Sequence, residues 1–188
     1  MIRNISGIVS FYMIPMKCIL PLIFILFSVT IEAADYFVDQ KSSVASDQNP
    51  GTIDKPWKTI AKANQVLKPG DTLFIRAGIY NSYIAPEHSG TVRALITFKN
   101  YRNDEVIITD TAYGIYLNAK SYISVSGINF QNLDRFMYLQ NGSDYNIIAY
   151  CCFDQARMTD GKTATWAGSS ISRNSKYNRL LHCRFSKY

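Results

Sequence analysis

The sequence predicts an all-β solenoid: short strands wound coil upon coil around one apolar interior, with a helix over the first coil. Three observations carry that reading. Three nonamers align on tyrosine: "YISVSGINF" at Tyr122 to Phe130, "YNIIAYCCF" at Tyr145 to Phe153 and "YNRLLHCRF" at Tyr177 to Phe185. Their starts lie 23 and 32 residues apart, a spacing that suits one coil per repeat. One segment, "PWKTIAKANQVL", breaks the strand pattern with helical spacing.

From the N-terminus, residues 1–33 read as a secretory signal peptide. Arg3 and Lys17 precede the apolar run "ILPLIFILFSV" at Ile19 to Val29, and "EAA" at Glu32 to Ala34 supplies small residues for cleavage. The run is too short to span a bilayer, and no later stretch is long enough. The expected location is therefore secreted or periplasmic, with no membrane span after signal cleavage. Met16 directly before Lys17 offers an alternative start. Residues 34–188 form the predicted N-terminal part of the solenoid domain.

The helix is expected at about 56–67, behind Pro56 and ahead of Pro69 and Gly70. Trp57, Ile60, Ala61, Ala63, Asn64 and Leu67 are spaced for helical packing. Such a helix would cover the apolar end of the first coil. Coils follow from about residue 72: "TLFIR" (Thr72 to Arg76), "LITFKN" (Leu95 to Asn100), "VIIT" (Val106 to Thr109), "GIYLN" (Gly114 to Asn118) and "FMYLQ" (Phe136 to Gln140) are short strand runs between turn residues. Ile115 and Leu117 recur as Met137 and Leu139, each displaced by 22 residues. About four coils are expected.

Within the nonamers, residues two apart on a strand share a face. The third position after the tyrosine holds Val125, Ile148 and Leu180; the sixth holds Ile128, Cys151 and Cys183; the eighth holds Phe130, Phe153 and Phe185. The sixth and eighth positions therefore point into one interior, with like residues stacked on like. Asn129, Cys152 and Arg184, at the seventh, face out. Cys151 and Cys183 read as small hydrophobes of an inward column, with a disulfide between them as the rival reading. Cys18 leaves with the signal peptide; the odd count that remains argues against a disulfide framework, and no pair has the two-residue spacing with histidine partners expected of zinc.

The second interval is longer because of "RMTDGKTATWAGSS" at Arg157 to Ser170, an expected loop at a corner of the solenoid. Trp166 there could stack on a sugar ring, with Arg157 and Lys162 to meet carboxylates; a tryptophan folded back on the coil edge is the alternative. His182 and Arg184 complete the candidate substrate-binding set. Residues 157–188 hold seven Lys and Arg against Asp160 alone. On an exported protein this basic stretch favours an acidic polysaccharide over nucleic acid, unless it is a solvated face balanced elsewhere. His88 reads as a surface residue of the turn "PEHSG", and Asp134, Asp154 and Asp160 lack calcium-loop spacing. "NGS" at Asn141 to Ser143 has the form of a glycosylation sequon and also of a turn between coils.

"GTIDKPWKTIAKANQVLKPGDTLFIRAGIY" (Gly51 to Tyr80), then "LITFKNYRNDEVIITD" and the tyrosine repeats, resembles the N-terminal portion of secreted right-handed parallel β-helix proteins of the pectate lyase-like superfamily. The closest flavour is the polysaccharide lyase family of alginate lyases and chondroitinase B. The resemblance implies β-elimination on an acidic, uronate-containing glycan. A non-catalytic glycan-binding or adhesin-like scaffold and a β-helix glycoside hydrolase are the alternatives. In the lyases a carboxylate is neutralised by calcium or by basic residues while a Lys or Arg takes the proton. The resemblance makes calcium possible and puts its ligands, and the catalytic residues, on later coils than this stretch. The expectation is a C-terminally incomplete solenoid: either a fragment with no turnover of its own, or a short protein whose site is built from what is present. A complete protein would be a monomer.

Overall fold

The structure is a computed structural model that describes residues 32–157 and 169–186. Along the chain run β1 (Asp35–Val38), α1 (Ile60–Val66), β2 (Thr72–Ile75), β3 (Gly78–Tyr80), β4 (Ile96–Asn100), β5 (Val106–Thr109), β6 (Tyr113–Asn118), β7 (Ile123–Ser126), β8 (Asn129–Leu133), β9 (Arg135–Gln140), β10 (Ile147–Ala149), β11 (Cys152–Ala156), β12 (Ser169–Ile171), β13 (Arg179–Leu181) and β14 (Arg184–Ser186). They form three parallel sheets. The first has the order β1-β2-β4-β7-β10-β13, the second β14-β11-β8-β5-β3 and the third β12-β9-β6. The middle coils, β4 to β6, β7 to β9 and β10 to β12, each give one strand to each sheet in turn, as in a parallel β-helix, and the coils at either end give fewer. The signal peptide expected at 1–33 lies outside the described residues apart from Glu32 and Ala33.

The period-two pattern builds the interior. On β7, Ile123 and Val125 are buried while Ser124 and Ser126 are half-buried outside. The register places Val125 beside Ile148 and Ile148 beside Leu180. It also places Phe130 beside Phe153 and Phe153 beside Phe185. Those rings stack with centroids 4.9 and 4.8 Å apart and planes within 7° and 13°. In the third sheet Ile115 meets Met137 and Leu117 meets Leu139, which is the 22-residue repeat.

The corners are as regular as the strands. Gly127, Tyr150 and His182 hold φ of 70°, 54° and 51°; Tyr122, Tyr145 and Tyr177 hold 60°, 56° and 58°. Non-glycine residues pay for this left-handed backbone, and stacking in register offsets the cost. The three tyrosines lie ring on ring, with centroids 5.2 and 4.7 Å apart. Gly127 has a second reason to be glycine, since a Cβ there would collide with the Asn100 amide. Beside the tyrosine corner a polar ladder replaces apolar packing. Fully buried Asn146 accepts from the Ile123 amide at 2.9 Å and donates to the Lys120 carbonyl and to Asn178 Oδ1.

Four differences from the sequence reading have physical causes. The helix occupies Ile60–Val66 rather than 56–67, because Trp57 bridges to Val38 and stacks on Tyr36 instead. Asp47 takes the amides of Lys58 and Thr59, and the Thr59 hydroxyl caps the helix by accepting from the Lys62 amide. Second, six strands stack in the first sheet where about four coils were expected, because "DYFV" joins as β1 across the long helical connection. Third, Ala156 and Ser169 to Ile171 belong to strands, so the expected loop at 157–170 is narrower; residues 158–168 lie outside the described residues. Fourth, Leu180 is 38% exposed, unlike Val125 and Ile148 at 1% each.

The three described cysteines are free thiols, Cys151 buried and Cys152 and Cys183 half-buried. Cys151 and Cys183 occupy the inward column beneath Ile128, as neighbouring backbone bonds show. A hydrogen bond with Cys183, together with burial, pushes the Cys151 thiol up.

Candidate functional site

The period of two also decides what faces out. Between the inward residues of the third sheet stand Tyr116 on β6 and Tyr138 on β9, paired in register. Tyr113 at the head of β6 and Tyr83 on the preceding coil join them. Ile84 bridges to Ile115 and thereby sets Tyr83 beside β6. Tyr113 and Tyr116 lie 4.9 Å apart, and each stacks on Tyr138 with centroids 5.9 and 6.0 Å away. Tyr83 stands edge-on to Tyr113 and Tyr116 and is 39% exposed. This makes a tyrosine face across three successive coils.

A cleft of about 440 Å³ opens beside it, lined by Ala85, Pro86, Glu87, Tyr116, Asn118 and Lys120. Helix α1 holds the segment that forms one wall. Asn64 donates to the Tyr83 carbonyl at 2.9 Å, accepts from the Ala85 amide at 3.0 Å, and its carbonyl accepts from the Glu87 amide at 2.8 Å. One buried residue, through its side chain and its backbone carbonyl, therefore pins the whole segment from Tyr83 to Glu87. Polar groups border the face: Gln140 Nε2 donates to the Tyr116 hydroxyl at 3.2 Å, and Asn141 Nδ2 donates to Asn118 Oδ1 at 2.7 Å. Arg135, exposed at the start of β9, holds its guanidinium carbon 5.0 Å from the centre of the Tyr138 ring. Aromatic walls with a few convergent polar groups are the usual make-up of a small-ligand site.

Of the residues expected from the sequence, the three described ones do not line this cleft. Arg157, just after β11, pairs with Asp134 at 3.0 Å and donates to the Thr111 carbonyl at 3.1 Å, so it ties three coils together. His182 lies at the corner after β13, stacked on Tyr150 at 5.0 Å. Arg184 faces out on β14, with two guanidinium nitrogens 3.2 and 3.3 Å from Cys152 Sγ. Lys162 and Trp166 lie outside the described residues. No hydrogen bond or ion pair among the described residues brings Arg157, His182 and Arg184 together. The tyrosine face was missed, although its signal was present. Ile115, Leu117, Met137 and Leu139, which recur 22 residues apart, are buried, and the period of two makes Tyr116 and Tyr138 outward by parity.

Among the described residues no group of three or more His, Cys, Asp and Glu side chains could hold a metal ion, so calcium finds no such donor set here. No helix among them is long and apolar enough to cross a membrane.

Comparison with known proteins agrees with this architecture. The uncharacterised protein YwoF of Bacillus subtilis (strain 168) is 38% identical over 96 residues, covering 47% of this chain and 20% of YwoF. The GH136 lacto-N-biosidase from Eubacterium ramulus, as its selenomethionine derivative, is 13% identical with a TM-score of 0.60 over 82% of this chain and 31% of that one. Pectate lyase Pel9A gives a TM-score of 0.49 at 15% identity, over 81% of this chain and 47% of that one. The chain spans about a fifth of YwoF and under a third of the biosidase. At such an identity the biosidase likeness speaks for the fold alone. A family profile described as "Pel9A-like, right handed beta helix region" matches residues 36–184, and on that match the chain belongs to the Pel9A-like right-handed β-helix family.

Proposed function

We propose that this chain is the glycan-contacting part of an exported carbohydrate-active β-helix protein, a polysaccharide lyase that cleaves an acidic, uronate-containing glycan by β-elimination. The observation that carries this is the tyrosine face of the third sheet with its adjoining cleft. Phenol rings offer apolar faces to the C–H side of a pyranose, while their hydroxyls and the neighbouring amides answer its hydroxyls. The lyase reading draws further support from the family and from the chemistry of uronates. Removing the proton beside a carboxylate builds negative charge, which a nearby cation must stabilise. Arg135 and Lys120 supply such charge at this face, and no catalytic base is assigned among the described residues.

A second reading, a non-catalytic glycan-binding scaffold, is favoured by the composition of the face itself, in which phenols, amides and a guanidinium bind more readily than they react. Hydrolysis needs two carboxylates across the scissile bond, and Glu87 is the single carboxylate lining the cleft. The test is retention of the chain on immobilised polygalacturonate and alginate, together with ultraviolet absorbance of unsaturated products from the same polymers in solution. Retention of the chain, with absorbance rising for the longer protein of which it would be part, supports the lyase, and retention with no rise from that longer protein supports the scaffold. No retention on any uronate polymer would overturn both.

A further inference from the structure

We infer that Arg135 is the residue by which the tyrosine face distinguishes an ionised carboxylate from its methyl ester; this rests on the reading of that face as a glycan contact. Arg135 is exposed, and its backbone is fixed by its amide, which donates to the Ala112 carbonyl at 3.0 Å. The Tyr138 ring beneath the guanidinium, 5.0 Å away, limits where that group can go. Stacking of this kind occupies one face of the guanidinium plane and leaves its in-plane N–H donors for a carboxylate.

The nearest acid in sequence, Asp134, is the obvious competitor, and it is already engaged. Its Oδ1 lies 3.0 Å from Arg157 Nε, and Arg157 is itself held by the Thr111 carbonyl. The ion pairs among the described residues are Arg76 with Asp104 and Arg157 with Asp134, so none of the described acids commits the charge of Arg135. A free guanidinium set among uncharged phenols and amides gains from an anionic partner. A methyl ester cannot accept the paired, charge-assisted hydrogen bonds that a carboxylate accepts.

The experiment compares retention of the full chain on polygalacturonate of low and of high methyl esterification, for the native protein and for Arg135→Gln and Arg135→Lys. The native protein should prefer the de-esterified polymer by about tenfold at low salt, with the preference shrinking as salt rises. Arg135→Gln should bind both polymers equally, at the strength the native protein shows for the esterified one. Arg135→Lys, which keeps the charge but not the fork, should restore part of the preference. If Arg135→Gln binds glycan and keeps the full preference, the assignment of Arg135 fails while the glycan contact stands. If the native protein binds neither polymer, the contact itself fails and the assignment with it. Unchanged thermal melting of the variants separates both outcomes from misfolding.

Discussion

Two aromatic surfaces stand on the outside of this solenoid, and they differ in what already covers them. On the first sheet Phe37 and Phe74 stack at 5.3 Å, with Tyr101 edge-on to each at 5.7 and 5.8 Å. The chain's own cations sit over these rings. Lys99 lies 5.5 Å from Phe74, and Arg76 and Arg102 lie 5.0 and 5.1 Å from Tyr101. Arg76 is further tied to Asp104 at 2.8 Å. On the third sheet one cation among the described residues, Arg135, sits over one of the four tyrosines, Tyr138, and a cleft opens beside them. Outward aromatic residues therefore do not by themselves mark a site. The first surface is closed by its own chain and reads as packing, whereas the second offers ring area and hydroxyls to something else.

Replacing the second surface should give the largest effect. Tyr116→Ala combined with Tyr138→Ala is expected to weaken retention on polygalacturonate at least tenfold, about 1.4 kcal/mol, as loss of central aromatic contacts usually does. Affinity electrophoresis reads that loss, and calorimetric melting checks that the fold persists. Equal weakening by Phe74→Ala would erase the distinction between the surfaces.

Phe74→Ala comes next, and its effect should fall on stability. The ring is half-buried, so the cost is expected at about 1.5 kcal/mol, well below that of emptying a core position. For a domain of this length that lowers Tm by roughly 3–6 °C, with glycan retention unchanged.

Much of this comparison was open to reading from the sequence, because a solenoid repeats its environment. Phe130, Phe153 and Phe185 could be stacked before any coordinates, since equal spacing within the nonamers implied equal depth. Trp57 escaped that logic. Its spacing suited a helix, yet pairing with Val38 and stacking on Tyr36 hold it in an extended bridge, a tertiary contact that local periodicity does not encode. Arg157 is the same lesson at the site. Its type and position suited a ligand for carboxylates, but its carboxylate partner is Asp134, 23 residues earlier and one coil away. Tyr116 and Tyr138 were missed for a different reason: the inward half of their repeat was read and the outward half was not.

Arg157→Ala should have a smaller effect that links both properties. Side chains about one-third exposed make an ion pair of modest strength, and with the Thr111 bond the loss is expected near 1 kcal/mol, or roughly 2–4 °C in Tm. It should also free Asp134 to compete for Arg135. Retention on de-esterified polygalacturonate should then fall, with little change on the esterified polymer. A drop in Tm without that change in selectivity would show that Asp134 does not reach Arg135.

The smallest effect is expected from Lys99→Ala and Arg102→Ala, and it bears most directly on why the first surface is closed. A cation over an exposed ring contributes about 0.5–1 kcal/mol, and Arg102 adds a left-handed backbone at φ 52° that alanine would share. Each replacement should therefore shift melting by no more than a few degrees. Uncovering Phe74 and Tyr101 also removes the positive charge that an acidic glycan would seek, so retention on polygalacturonate should not rise. If these cations serve as cover, retention stays level in both variants. A clear fall on removing either one would instead make the first surface a second point of contact, with its cations poised for the glycan and not for the rings beneath them.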